Sequence, residues 1–115
     1  ANGLFYYVGR NDSQVKVKGK RIELGEIENI ILSYSKVLEA AVIALKNKEL
    51  KNIKIIAFVN FSESSLKNKF ESYLKESLPK YMLPSKIIYL KNNLPHLSNG
   101  KVDKKELNNL ALNLY

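Results

Sequence analysis

Two apolar runs separated by a short polar segment constrain the fold of this chain more than any other feature. Residues 37–45 and 53–61 are rich in β-branched and aliphatic side chains, whereas residues 47–52 are mostly polar. Apolar runs of this length, bounded by turn-forming residues, are typical of strands that are buried on both faces. The pattern therefore predicts a central β-hairpin with a polar loop.

Helical periodicity is found on both sides of this hairpin. The first predicted helix begins at Gly25, the second is ended by Pro79, and the third is capped by Asp103 with Glu106 at the capping-box spacing. Each predicted helix carries apolar residues at i, i+3, i+4 or i+7, which form one buried face. These faces comprise Ile27, Ile30, Ile31 and Tyr34; Leu66, Phe70, Tyr73 and Leu74; and Leu107, Leu110, Ala111 and Leu114.

Shorter strands complete the predicted fold. Residues 1–8 and 86–90 are β-prone, and residues 14–18 and 21–23 alternate around a tight turn at Gly19. The chain has 115 residues, which is the length of one domain. We expect an α+β fold: a small β-sheet of about three main strands plus an N-terminal hairpin, packed with helices.

Composition excludes several classes of site. Cys is absent and His96 is the single histidine, which excludes disulfide frameworks, thiolate zinc sites, Cys nucleophiles and His-based metal clusters. We expect no metal ligands and no catalytic role for His96. No apolar run is long enough to span a membrane and the N-terminus is not a signal peptide, so a cytoplasmic location is expected.

The chain is basic, with 19 Lys and Arg against 11 Asp and Glu, a net charge of +8. That balance favours an anionic partner such as phosphate, nucleic acid or an acidic protein. Only Arg10 and Arg21 are arginines, and the lysine excess is also typical of a solvated surface encoded by an AT-rich genome. The charge alone leaves an independent basic binding module open as an alternative function.

Two turn-rich segments are candidates for chemistry. The Gly19-Lys20-Arg21 tip either belongs to a solvated hairpin or enters a phosphate site or a narrow tunnel, where Gly19 permits a close approach. Gly100 and Lys101 do not form a P-loop, because Pro95 replaces its first Gly and Val102 replaces the magnesium-binding Ser or Thr. Lys101 remains either a phosphate ligand or a solvated loop lysine.

Three motifs in register resemble a known family. Residues 9–28, GRNDSQVKVKGKRIELGEIE, resemble a signature of amino-acid adenylation domains, and residues 78–84, LPKYMLP, resemble their next motif. Residues 99–103, NGKVD, resemble their last motif, except that Lys104 stands where Arg is usual. The chain thus resembles the C-terminal subdomain of adenylate-forming enzymes, most closely a nonribosomal peptide synthetase adenylation domain or a D-alanine–carrier protein ligase.

The resemblance implies a role within a larger enzyme. Residues 1–115 would be a single mobile lid subdomain with a hinge at about residues 9–13, and the large N-terminal subdomain that holds ATP with Mg²⁺ and the substrate would be absent. The full-length protein would be an ATP-dependent ligase that activates an amino acid and transfers it to the phosphopantetheine thiol of a peptidyl or acyl carrier protein. The isolated fragment is expected to be inactive, and neither nucleic acid nor membrane is an expected partner.

The same resemblance assigns roles to residues. Lys101 matches the catalytic lysine of acyl-adenylate formation, Asp12 matches the hinge, and Arg10 matches a nucleotide or interdomain contact. The hairpin for the thioester step corresponds to Lys18, Gly19, Lys20 and Arg21. Glu26 and Glu28 lie at the start of a predicted helix, where their charge suits the helix dipole, and are interpreted as structural.

Overall fold

A computed structural model of the chain describes residues 5–7, 14–17, 19–47, 53–61 and 67–114. The elements in these ranges confirm the predicted α+β class, with helices packed on a small sheet. They are β1 (Phe5–Tyr7), β2 (Gln14–Val17), β3 (Lys20–Glu23), α1 (Leu24–Leu32), β4 (Val37–Asn47), β5 (Ile53–Phe61), α2 (Lys67–Ser77), β6 (Lys86–Leu90) and α3 (Lys104–Leu114).

The main sheet has four strands in the order β1-β4-β5-β6. β4 and β5 form the predicted antiparallel pair, with Val42 opposite Ala57. β6 runs parallel to β5, which requires a crossover, and α2 lies within that crossover. β1 pairs with the end of β4, so the N-terminal segment adds a fourth strand to the three main strands expected. β2 and β3 form the separate hairpin.

The central strands are buried on both faces, which explains their nearly continuous apolar sequence. In β5, Ile55, Ala57 and Val59 belong to one hydrophobic cluster, which we call the α1–α2 cluster. Ile56 and Phe58 belong to the other, which we call the α3 cluster. This alternation is the period of two that a strand imposes on its side chains.

Side chains of α1, α2 and the β2–β3 hairpin pack together in the α1–α2 cluster. Ile27 and Ile31 of α1 are fully buried there, as their spacing predicts. Tyr34 lies beyond the end of α1 rather than on it, but it still packs in this cluster. Its ring lies 5.3 Å from that of Phe70 and 5.2 Å from that of Tyr73, so the aromatic contacts extend the apolar face past the helix.

The segment between α2 and β6 differs in part from the extended linker that Pro79 and Pro84 predict. Lys80–Met82 form a single 3-10 turn, and the backbone is extended at Leu83. Leu78 and Met82 are buried as apolar anchors, whereas Tyr81 is exposed. The segment therefore presents one turn, with Tyr81 on its outside.

The helix α3 covers the opposite face of the sheet. Asp103 caps it as predicted, since its Oδ1 accepts a hydrogen bond from the Glu106 backbone N–H at 3.2 Å. Leu107 and Ala111 are fully buried in the α3 cluster. No helix in the described ranges has the length and apolar character needed to cross a membrane.

Candidate functional site

Lys101 lies at the end of a tight turn between β6 and α3. The Gly100 N–H donates to the Leu97 carbonyl at 2.9 Å, and the Leu97 N–H donates to the Lys101 carbonyl at 2.7 Å. Gly100 has φ +88°, a left-handed conformation that glycine adopts without steric cost. His96 and Val102 form an antiparallel bridge just before and after this turn. The backbone of the loop is therefore closely specified around Lys101.

The Lys101 side chain is exposed and has no recorded hydrogen bond or ion pair with the residues that the structure describes. Its backbone N–H is held by Asn99 Oδ1 at 3.0 Å. The loop therefore specifies the backbone of Lys101, and its unengaged ammonium is a point charge on a flexible four-carbon stem. Such a group can neutralise an anion that is brought to this loop.

The strand β4 anchors one arm of this turn through Glu39. Its Oε1 accepts a hydrogen bond from the Leu94 N–H at 3.0 Å, and its Oε2 lies 3.0 Å from His96 Nε2. Leu94 is buried in the α3 cluster beneath these contacts. The predicted loop histidine therefore does have an acidic partner, which the sequence around it did not indicate.

A second carboxylate, that of Glu28, contacts β4 and the start of α3 just after the loop. Glu28 Oε1 accepts hydrogen bonds from the Val42 N–H at 2.8 Å and from Lys104 Nζ at 3.0 Å, and Lys104 Nζ also reaches the Val42 carbonyl at 3.3 Å. Glu28 thus has the structural role that was expected, through specific contacts with β4 and α3. Lys104 occupies the position where the motif usually has Arg, and it forms an ion pair with Glu28.

The tip of the β2–β3 hairpin carries the other predicted group. Gly19 has φ +81°, and a Cβ added there would meet nothing within 4 Å. Lys20 and Arg21 are exposed, while Val15 and Ile22, a directly opposed pair, are buried in the α1–α2 cluster. The hairpin is thus fixed by its inner face and leaves its basic residues in solvent.

The first and second motifs meet at this hairpin. Lys20 Nζ lies 4.6 Å from the centroid of the Tyr81 ring, a cation–π contact. Both residues line an open groove together with Val17, Ile53 and Lys80. Lys80 and Tyr81, from the segment between α2 and β6, therefore form a surface with the hairpin.

The structure does not bring the hairpin and the Lys101 loop to one place. The hairpin packs in the α1–α2 cluster through Val15 and Ile22, whereas Leu94 and Val102 of the Lys101 loop pack in the α3 cluster. The two clusters lie on opposite faces of the main sheet. The predicted site residues accordingly form two separate groups.

The remaining site predictions lie outside the described residues. Arg10, Asp12 and Lys18 are in ranges that the structure leaves undescribed, so their predicted roles stay predictions. In the described part of the chain, no group of three or more His, Cys, Asp or Glu residues is placed to hold a metal ion.

Sequence reasoning missed Glu39 and its two contacts. A signal was present, because Glu39 is the single charged residue within the apolar run 37–45. A charged residue in a buried strand requires a partner. One of its partners, Leu94, lies 55 positions further along the chain.

The Tyr89 phenol, which packs against the α1–α2 cluster, has a shifted pKa. Burial, followed by the hydrogen bond to Glu71 and its negative charge, raises the pKa of the Tyr89 phenol. The Tyr89 hydroxyl donates to Glu71 Oε2 at 2.7 Å, between β6 and α2. This pair connects α2 to the sheet on the face that carries the α1–α2 cluster.

Comparison with known proteins identifies the family of this chain. The protein-family model described as the AMP-binding enzyme C-terminal domain matches residues 26–101 of this chain, a range that ends at Lys101. Gramicidin S synthase 2 of Brevibacillus brevis is 45% identical over 107 residues, which cover 93% of this chain and 2% of that protein. Surfactin synthase subunit 1 of Bacillus subtilis is 50% identical over 101 residues, which cover 88% of this chain and 3% of that protein. This chain thus spans only a small fraction of these relatives.

Solved structures agree over most of the chain. Apo MatB from Rhodopseudomonas palustris superposes with a TM-score of 0.76 and 27% identity, covering 93% of this chain and 21% of that one. A fatty acyl CoA synthetase of Mycobacterium tuberculosis gives a TM-score of 0.73 and 25% identity, covering 88% and 20%. The resemblance to the C-terminal subdomain of adenylate-forming enzymes is confirmed, and the chain belongs to the family of AMP-binding enzyme C-terminal domains.

Proposed function

We propose that this chain is the mobile C-terminal lid of an ATP-dependent ligase that activates an amino acid. In the first half-reaction a substrate carboxylate oxygen attacks the α-phosphate of ATP, and the bond to pyrophosphate breaks. In the second, a phosphopantetheine thiol on a carrier protein attacks the acyl carbon, and AMP leaves. The observation that carries the proposal is the exposed Lys101 ammonium on its closely specified turn, within a family that contains adenylate-forming ligases.

Lys101 acts in the first half-reaction. Two anions, the substrate carboxylate and the α-phosphate, must approach each other, and a cation placed between them offsets their repulsion. The Lys101 ammonium fits this task because no described residue engages it. ATP and its Mg²⁺ are bound mainly by the N-terminal subdomain, and Lys101 supplies charge to the phosphate from the lid.

The β2–β3 hairpin acts in the second half-reaction. Lys18, Gly19, Lys20 and Arg21 form the segment that approaches the acyl-adenylate when the thiol enters. The space around Gly19 supports this role, since a thin phosphopantetheine arm needs a backbone without a side chain beside it. The basic side chains of Lys20 and Arg21 are exposed and suit a phosphate-bearing arm.

The separation of the two groups supports a lid that rotates. Lys101 and the hairpin pack with opposite faces of the sheet, so a single lid orientation presents only one of them to a fixed reaction centre. A hinge at residues 9–13 centred on Asp12 absorbs the rotation in a few backbone torsions. Arg10, in the same segment, contacts the nucleotide or the N-terminal subdomain.

The identities of the relatives favour an amino acid as substrate. The synthases that make gramicidin S and surfactin are 45% and 50% identical to this chain, whereas the acyl-CoA synthetase is 25% identical. The partners are therefore the N-terminal subdomain in cis, an amino acid and a peptidyl or acyl carrier protein, in the cytoplasm. The proposal includes neither nucleic acid nor a membrane as a partner.

The test uses the full-length protein and the isolated chain side by side. The full-length protein should catalyse amino-acid-dependent exchange of pyrophosphate into ATP and load a carrier-protein thiol, and the 115-residue chain should do neither. Exchange by the isolated chain would contradict the lid assignment. Tight nucleic-acid binding at physiological salt, with a steep salt dependence, would instead support the independent basic module.

A further inference from the structure

We propose that Glu39 is the positioning residue for Lys101: its carboxylate holds the loop that delivers the lysine to the adenylation reaction. The inference rests on the proposed role of Lys101 and adds a residue that acts through it. The proposed role of Glu39 involves no contact with the substrate. Its two recorded contacts are with Leu94 and His96, on the arm of the turn that precedes Lys101.

Glu39 faces the α3 side of the sheet in regular alternation with Ala41 and Ile43, and a β-bulge just before it turns Val37 to the other face. The register of β4 against β5 shifts between Val37 and Glu39, so that Val37 lies opposite Phe61 and Glu39 lies opposite Asn60. Without the shift, residues two apart would face the same side of the sheet. With it, Val37 packs in the α1–α2 cluster while Glu39 reaches the loop that packs in the α3 cluster. Re-aiming a side chain is a known consequence of a bulge.

Each carboxylate oxygen holds a different residue of the loop. Oε1 accepts the Leu94 N–H and Oε2 lies beside His96 Nε2, each at 3.0 Å. Two contacts to residues two apart fix both the position and the direction of the chain between them. The carboxylate therefore acts as a clamp on residues 94–96.

The clamp is connected to Lys101 by backbone hydrogen bonds. The Asp103 N–H donates to the Pro95 carbonyl at 2.8 Å, and the Leu97 N–H donates to the Lys101 carbonyl at 2.7 Å. These bonds join the arm held by Glu39 to the residues on both sides of Lys101. A shift of residues 94–96 would therefore move the Lys101 backbone with them.

The ion pair between Glu39 and His96 is too exposed to account for a large effect on folding by itself. The side chains of His96 and Glu39 are 35% and 26% exposed, and partly solvated ion pairs contribute little to folding. Loss of alignment is a different matter, because a displacement of about 1 Å at a reacting group costs up to about 100-fold in rate. Loss of the acceptor for the buried Leu94 N–H should also lower stability, so the positioning role is measured by the ratio of the two half-reactions, which a general loss of folded protein would not change.

The test measures both half-reactions in the full-length protein. Glu39→Ala should lower amino-acid-dependent ATP–pyrophosphate exchange by about 10- to 100-fold, while transfer from a supplied acyl-adenylate to the carrier thiol is unchanged. Glu39→Gln, which keeps an acceptor for the Leu94 N–H, should lose less. Glu76→Gln, the same chemical change at an exposed site on α2, is the matched control and should have no effect.

A double variant separates positioning from a general structural role. If Glu39 acts through Lys101, Glu39→Ala should cause no further loss of exchange in a Lys101→Ala background. A full additional loss, or an equal loss in both half-reactions, would overturn the inference. Unchanged exchange in Glu39→Ala, Glu39→Gln and His96→Ala together would also overturn it.

Hydrogen exchange gives a readout that does not depend on activity. In Glu39→Ala, backbone amides of residues 94–103 should exchange faster than in the parent, and in Lys101→Ala they should not. Unaltered hydrogen exchange of these amides in Glu39→Ala would overturn the proposed clamp. If Lys101→Ala itself retains full pyrophosphate exchange, the proposed role of Lys101 is wrong. Loss in Lys101→Ala with full activity in Glu39→Ala refutes only the positioning role.

Discussion

Glu28 and Lys104 form an ion pair in which Lys104 Nζ lies 3.0 Å from Glu28 Oε1. The pair joins α1 to the start of α3 across 76 positions of the chain. It also connects the first motif, which ends at Glu28, to the basic residue that follows the last motif. Two segments that resemble separate family signatures are therefore parts of one contact.

The location of the pair explains why it is needed. Within the described residues, β1 pairs with β4 only at 45–47, so Val42 has no strand partner on that side. Its N–H donates to Glu28 Oε1 and its carbonyl accepts from Lys104 Nζ. The two side chains satisfy backbone groups that an open strand edge would leave unpaired.

Removing this carboxylate should destabilise the fold. Glu28→Ala leaves the Val42 N–H and the Lys104 ammonium without their shared acceptor, and we expect a loss of about 1–3 kcal/mol. Lys104→Met should cost less, and Lys104→Arg should be close to neutral because it keeps the ion pair. Urea denaturation of the chain measures these changes, with Lys105→Met, an exposed neighbour on α3, as control. Equal midpoints for Glu28→Ala and the parent would contradict this account.

The sequence predicts the elements well where local signals decide them. The runs 37–45 and 53–61 predicted β4 and β5, since β-branched residues on both faces require a buried strand. Asp103 predicted the start of α3 because capping depends on residues only three apart. The motif residues were found by resemblance and not by local physics.

Long-range contacts were not predictable in the same way. The Glu39–His96 and Glu28–Lys104 pairs depend on which segments the fold brings together, and no local spacing encodes that. The end of α1 was also misjudged. Tyr34 fits the helical period, but the helix ends at Leu32, and Ser33 then bonds to the Ile30 carbonyl through its own hydroxyl.

Gly100 should be required for the conformation of the Lys101 turn. Its φ of +88° is unfavourable for a residue with a Cβ, while nothing lies within 4 Å of the added atom. Gly100→Ala should therefore destabilise by about 1–2 kcal/mol through backbone strain alone. Gly100→Asn should cost less, because Asn tolerates left-handed torsions. Thermal denaturation compares the three proteins, and a stability of Gly100→Ala equal to that of the parent would refute the assignment of strain.

Tyr89 should make stability depend on alkaline pH. Because burial and Glu71 raise the pKa of its phenol above the unfolded value, its contribution is fully present below about pH 10 and is lost as pH rises beyond it. At neutral pH, Tyr89→Phe should be less stable by about 0.5–1.5 kcal/mol, since it lacks the hydrogen bond to Glu71. Denaturation across a pH series should show this difference shrinking above pH 10. A difference that is constant across that range would contradict the raised pKa.

We propose that Lys101 acts in one half-reaction only. The most direct test compares Lys101→Ala with the parent full-length protein in amino-acid-dependent ATP–pyrophosphate exchange and in thiol transfer from a supplied acyl-adenylate. Lys105→Ala, an exposed lysine four positions further along, is the matched control. We predict that exchange falls by about 100-fold or more in Lys101→Ala, as expected for loss of a group that stabilises transition-state charge, while transfer is retained. Unchanged exchange in Lys101→Ala, or an equal fall in both half-reactions, would contradict the account.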